Sequence, residues 1–235
     1  MKKKLIKSNK NSLILTKKVS QSIVLKCVLL GESAVGKSSL INRFINGTFN
    51  EDSLPTIVGC YSAKEVFYEK ENIKIRYEIW DTAGQEKYRA INKIFYQDAY
   101  VNIFVYDITK KTSFDALKDY WYQEVKDNAP LDAIIIIVGN KRDLYENEAV
   151  DEEEVKKFSE SVNALYKQTS AQTGEGVNEL FDMIGKQILT QENVEDFKNN
   201  KSKGNKFGKF KNDSTNIYSS VSTFDSNVSK KKKCC

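Results

Sequence analysis

Gly31-Glu32-Ser33-Ala34-Val35-Gly36-Lys37-Ser38 is the stretch from which the rest of this chain is read. It fits the pattern G-x-x-x-x-G-K-[ST]. Ahead of it, Ile23 to Leu30 is apolar except for Lys26 and reads as a buried strand. Behind it, Ser39 to Ile45 carries apolar residues at helical spacing. Strand, glycine loop and helix in that order form the context this pattern needs. The glycines let main-chain N–H groups turn toward an anion, and the helix N-terminus adds its dipole. Glu32, Ser33, Ala34, Val35, Gly36, Lys37, Ser38 and Ser39 are therefore candidate contacts to the phosphates of a nucleotide. In this arrangement Lys37 reaches the outer phosphates and the Ser38 hydroxyl is placed to ligate Mg²⁺.

A phosphate loop does not choose a base. That choice falls to Gly139-Asn140-Lys141-Arg142-Asp143, which follows the apolar run Ala133 to Val138. Such a run is typical of a strand buried on both faces. The motif thus falls at the carboxyl end of a parallel strand, where open α/β sheets bind ligands. The Asp143 carboxylate can accept two hydrogen bonds from the ring N–H and exocyclic amine of guanine, a donor pair that adenine lacks. Alone, Asn140 to Asp143 reads more readily as an ordinary polar loop; paired with the phosphate loop at this separation it specifies guanine. A third piece, Trp80-Asp81-Thr82-Ala83-Gly84-Gln85, closes the strand Ile73 to Ile79. Asp81 is the expected carboxylate on the metal side, Gly84 allows main-chain approach to the γ-phosphate, and Gln85 is placed to hold a water in line.

These three motifs together make the chain resemble the small GTPases of the Ras superfamily, and most closely the Rab family, over about Ile23 to Gln191 and again at the extreme C-terminus. The resemblance implies a small G domain, an α/β fold whose mostly parallel sheet is flanked by helices on both faces. It implies GTP as substrate, GDP as product and Mg²⁺ as cofactor. It assigns catalysis to Gln85, Lys37 and Thr56, and Mg²⁺ to Ser38, Thr56 and Asp81. Phe49 would stack on the guanine, and Ser170 and Ala171 would support the base through main-chain contacts. Members usually carry Lys where this chain has Gln172. No residue stands out as an arginine finger in cis, so intrinsic turnover is expected to be slow, on the order of 10⁻⁴ to 10⁻² s⁻¹.

Subgroup features point to Rab. Tyr106-Asp107-Ile108-Thr109, Thr112-Ser113-Phe114, Lys87 to Ile91 and Phe95 to Ala99 are similar to Rab segments. Ile57-Val58-Gly59-Cys60-Tyr61 departs from the pattern, with its glycine one position late and Cys60 in place of an acidic residue. Along Ile73 to Trp80 the period of two puts Trp80 on the polar face with Lys74, Arg76 and Glu78. A lone exposed apolar residue needs no explanation. By resemblance, however, Tyr61, Trp80 and Phe95 fall where Rabs gather three aromatics for effectors.

The charge distribution divides the 235 residues. Residues 1–22 carry seven Lys and no acid, and residues 192–235 carry ten Lys against five acids. The tails thus hold +7 and +5 of a chain whose total is +5, which leaves −7 on the domain between them. Three parts follow: a basic extension at 1–22, a domain at 23–191 and a basic tail at 192–235. The tails, rich in Lys, Asn and Ser, are expected to be disordered. A basic tail suits nucleic acid, an anionic membrane or plain solvation. The acidic domain lacks the aromatic and basic platform of a nucleic-acid module, so no nucleic-acid partner is expected. No run approaches the roughly 20 apolar residues of a membrane span. Lys2-Lys3-Lys4 mimics the start of a signal peptide, but Lys7 and Lys10 break the apolar region that should follow. Cys27 is expected in a buried strand and Cys60 in a switch-like loop, without a disulfide framework. Within the domain, Asp151 to Glu154 opens a helix, and Val177, Leu180, Phe181, Ile184 and Ile188 line a last one.

Cys234 and Cys235 follow Lys230 to Lys233. The resemblance implies that both are geranylgeranylated, and two lipids beside lysines satisfy the two-signal requirement for stable anchoring. It also implies the cytoplasmic face of intracellular membranes, with cycling through the cytosol. The partners it implies are an exchange factor, a GTPase-activating protein, effectors, prenylation and escort proteins, and a GDP-dissociation inhibitor. Two other classes stay open at this point: a nucleotide-binding module that does not hydrolyse, and a Ras-like signalling GTPase at the plasma membrane.

Overall fold

A computed structural model describes residues 21–51, 55–56, 59–84, 94–130 and 132–190. Six strands form one sheet: β1 (Gln21–Leu30), β2 (Cys60–Tyr68), β3 (Ile73–Asp81), β4 (Val101–Asp107), β5 (Ile134–Asn140) and β6 (Leu165–Gln168). Their order is β2-β3-β1-β4-β5-β6. β1 lies parallel to β3, from Gln21 opposite Ile73 to Leu29 opposite Asp81, and parallel to β4. β4, β5 and β6 continue the parallel set, while β2 alone is antiparallel, paired with β3. The chain moves out from β1 to one edge and later to the other, so the loop after β1 lies at the switch point of the sheet, where ligands bind.

The helices are α1 (Lys37–Asn46), α2 (Lys111–Ala116), α3 (Tyr122–Asn128), α4 (Glu152–Ser161) and α5 (Val177–Ile188). Alpha-helices α2 and α3 run into one another through a π turn, Leu117–Trp121. Helices α1 and α5 bury the apolar stripes expected of them. Leu40, Ile41 and Phe44 of α1 and Leu180, Phe181 and Ile184 of α5 pack on one sheet face with Leu25, Cys27 and Ile79. Phe44 and Phe181 stack at 3.6 Å, and both present edges to Tyr77, whose hydroxyl donates to the Phe181 carbonyl at 2.8 Å. Phe114, Leu117, Trp121 and Val125 cover Val28, Phe104 and Ile137 on the other face. At α4, Asp151 caps the first turn by accepting from the Glu153 amide at 3.0 Å, and Glu152, Glu153 and Glu154 favour the positive end of the dipole.

Two expectations change. The run from Ile23 to Leu30 is not buried throughout: β1 starts at Gln21, and Val24 remains 54% exposed. Val24 shares its face with Arg76 of β3 and Glu65 of β2, in a row that the helical layer formed by α2 and α3 does not reach. Cys60 is not in a loop: it is the first residue of β2, opposite Asp81. The pairing with β3 extends to the strand's end and draws Cys60 into the ladder.

Candidate functional site

At the end of β1 the chain turns through a loop in which Ala34 and Gly36 take left-handed backbone angles, φ 64° and 97°. Any side chain at Gly36 would also meet Asn140, since a Cβ there would lie 2.3 Å from Asn140 Nδ2. Gly36 caps α1, and Lys37 folds back over the loop, donating from Nζ to the carbonyls of Gly31 and Glu32, both at 2.8 Å. Lys37 is buried, and that burial lowers its ammonium to about 8 against the opposing pull of Asp81 and Glu32. A buried cation held at a helix N-terminus is suited to a phosphate. Gly84 closes the wall opposite, where a Cβ would come within 2.6 Å of Lys37 Nζ and of the Glu32 main chain.

Three oxygens converge beside the lysine. Ser38 Oγ donates to Asp81 Oδ2 at 2.5 Å, Thr56 Oγ1 donates to the same oxygen at 3.0 Å, and the two hydroxyls lie 2.8 Å apart. Burial raises the Asp81 carboxyl, opposed by Ser38, Lys37 and Thr56. Asp81 Oδ1 is buried and has no hydrogen-bond partner among the described residues. An orphaned buried carboxylate oxygen beside two hydroxyls fits a hard cation that keeps several ligands from water and phosphate, which is how Mg²⁺ is bound.

The other end of the site is assembled by Asn140, the last residue of β5. Its Nδ2 donates to the Val35 carbonyl at 2.9 Å, which ties the strand to the phosphate loop. Its Oδ1 accepts from Thr169 Oγ1 and from the Ala171 amide, both at 3.2 Å. Lys141 sits at φ 70° with its Nζ 2.6 Å from Asp107 Oδ2. Asp143 accepts from Ser170 Oγ at 2.5 Å. Between the two ends lies a cavity of about 330 Å³, walled by Ser33, Ala34, Ser39 and Phe49 together with Lys37, Ser38, Thr56, Asn140, Lys141 and Asp143. That volume suits a small ligand gripped at both ends.

The expected residues are placed unequally. Val35 contributes a carbonyl, its side chain being buried. The Glu32 carboxylate accepts from Trp121 Nε1 at 3.1 Å, which links the loop to the π turn. Gln172 and Ala171 line the cavity. Tyr61, Trp80 and Phe95 form a contiguous row, with ring centroids 5.2 Å and 5.4 Å apart. Gln85, Cys234 and Cys235 lie outside the described residues. Sequence reasoning missed Trp121, the Lys141–Asp107 pair and Arg43, whose guanidinium donates to the Ala171 carbonyl at 2.8 Å. Arg43 lies 128 residues from its partner, and nothing in its own neighbourhood signals the contact.

Known proteins resemble this chain across the same region. The sequence profile of the Ras family matches residues 26–190. The human Ras-related protein Rab-22A is 40% identical over 164 residues, covering 70% of this chain and 83% of that protein. The Dictyostelium discoideum Ras-related protein RabJ is 38% identical over 180 residues, covering 77% and 69%. GTP-binding protein ypt5 of Schizosaccharomyces pombe is 39% identical over 170 residues, covering 72% and 80%.

Proposed function

The chain belongs to the Ras family, in its Rab branch, and from that we infer a GTP-hydrolysing switch that regulates vesicle traffic, with the cavity between Lys37 and Asp143 as its nucleotide site. The observation that carries the assignment of residues is the split of that cavity into two ends. Lys37, Ser38, Thr56 and Asp81 gather at one, and Asn140 and Asp143 stand at the other.

Lys37 balances charge on the outer phosphates, which requires it to exchange its two loop carbonyls for phosphate oxygens. Ser38, Thr56 and Asp81 would hold Mg²⁺, which would supply charge neutralisation on the phosphates; the orphaned Asp81 Oδ1 supports that assignment. Phe49 supplies a face for the base, and Asp143, aligned by Ser170, reads its donor edge. Gln85 orients the attacking water. Thr56 and the residues after Asp81 contact the γ-phosphate region only while it is present, so hydrolysis releases them, and the surface around Tyr61, Trp80 and Phe95 passes the state to effectors. The chain anchors through lipids on Cys234 and Cys235 at the cytoplasmic face of intracellular membranes. Its cycle uses exchange, activating, escort and dissociation-inhibitor proteins.

Nucleotide competition tests this reading. The parent should hold GTP against excess ATP. Asp143→Asn should lose roughly 1–3 kcal/mol of GTP affinity, the cost of a buried polar mismatch, and gain affinity for xanthosine triphosphate relative to GTP. ATP competing as well as GTP for the parent would overturn it.

A further inference from the structure

The loop that carries Ser170, Ala171 and Gln172 is held from two sides. On the inner side, Asn140 accepts from the Ala171 amide and from Thr169. On the outer side the only side chain seen to reach Ala171 and Gln172 among the described residues is Arg43. It stands in α1, six residues after Lys37. Its Nε donates to the Ala171 carbonyl at 2.8 Å, its Nη2 to the Gln172 carbonyl at 2.5 Å and its Nη1 to the Gly47 carbonyl at 2.6 Å. Each of these nitrogens thus meets a main-chain carbonyl, and two of the three carbonyls belong to the loop beside the base end of the cavity.

We propose that Arg43 is a positioning residue that clamps the base-reading loop to the phosphate-binding helix and thereby sets how long the nucleotide stays bound and how strictly guanine is read. The proposal rests on the nucleotide site inferred above. Helix α1 is rigid and starts at the phosphate loop, so a side chain on its second turn that grips the 171–172 carbonyls transmits the position of one end of the site to the other. Ser170 precedes the gripped residues and donates to Asp143, so loosening the loop misplaces the carboxylate that reads the exocyclic amine. The planar fork matters: its nitrogens diverge at fixed angles and meet three carbonyls at once, which an ammonium on a flexible stem does not reproduce. Gln172 itself, where relatives by resemblance carry Lys, is held here through its carbonyl.

The test measures release of fluorescent GDP from the full chain, with and without Mg²⁺, and the affinity ratio of GDP to inosine diphosphate, which lacks the exocyclic amine. Arg43→Ala should release GDP about tenfold faster, the order expected from losing charge-assisted hydrogen bonds that act through a loop. The acceleration should be the same with and without Mg²⁺, and the preference for GDP over inosine diphosphate should narrow. Arg43→Lys should fall between variant and parent. It carries the test if the alanine variant does not fold, and release equal to the parent's then overturns the clamp. Asn42→Ala is the control. It removes the bonds of Asn42 to Thr48 at the same helix end without touching the loop, and should leave release unchanged. Release by Arg43→Ala within twofold of the parent, equal acceleration by Asn42→Ala, or an unaltered GDP preference would each overturn the proposal. A parent that binds ADP as well as GDP overturns the functional reading, and the clamp with it.

Discussion

Ser38 shows how much of the site rests on single atoms. Its hydroxyl touches Asp81 and Thr56 at once, from the second position of α1. Asparagine there keeps a polar group but replaces a compact oxygen with a longer amide. Ser38→Asn should therefore weaken Mg²⁺-dependent retention of GTP more than that of GDP, since the triphosphate relies more on the metal. Exchange rates measured across a range of Mg²⁺ concentrations check this, and an unchanged Mg²⁺ dependence would remove Ser38 from the metal site. Asp81 would not be rescued by its neighbours alone, because one of its oxygens is orphaned in their presence. Burial raises its carboxyl, and the hydroxyls with Lys37 only oppose the shift.

Between elements, the ion pair from Asp107 at the end of β4 to Lys141 just after β5 joins neighbouring strand ends beside the base-reading motif. Burial pushes the Asp107 carboxyl up, but Lys141 and the amide and hydroxyl of Thr109 outweigh it, and the carboxyl ends below its ordinary range. A carboxyl depressed by folding contributes stability that is present above its unfolded value, about 3.9. That contribution is lost as pH falls through the lower folded value. Asp107→Asn should cost about 2 kcal/mol at neutral pH, between the figures for buried and exposed pairs because Lys141 keeps some solvent contact. Thermal melts should show the gap between parent and variant shrinking as pH drops below about 4. A gap that stays constant with pH would assign the loss to packing rather than to the charge. The aromatic row Tyr61–Trp80–Phe95 is likewise a property of elements, since β2 and β3 bring the first two rings together through their register.

For the whole molecule, the proposed anchoring depends on residues 192–235, which follow the domain in the sequence. The ten Lys of residues 192–235, four of them directly before Cys234, stand against a domain of net −7. A single lipid chain is marginal for anchoring and two are stable, while each adjacent lysine adds about 1 kcal/mol on an anionic leaflet. The variant with both Cys234 and Cys235 changed to Ser should move to the soluble fraction. Each single variant should fall between it and the parent, and high salt should deepen the loss. Fractionation with mass spectrometry of the terminal peptide decides it: a double variant that remains on membranes, or a parent peptide without prenyl mass, sinks the anchor.

The phosphate loop, the Asn140–Asp143 motif and the faces of α1 and α5 were legible from sequence because their information is local. A strand, a glycine turn and a helix are encoded by neighbours, and the stripe Val177, Leu180, Phe181, Ile184 and Ile188 follows from helical period alone. The mostly parallel sheet followed from apolar runs alternating with such helices. What tertiary structure alone decided are contacts between residues far apart in the chain. Cys60 joined a strand because Asp81 was there to pair with, and Val24 stayed exposed because α2 and α3 cover Val28, Phe104 and Ile137 and not the row that Val24 shares with Arg76 and Glu65. The Glu32 carboxylate turned to Trp121 across 89 residues. The grip of Arg43 on the base-reading loop belongs with these, since a guanidinium chooses its carbonyls only after α1 and the loop beyond β6 have been packed side by side.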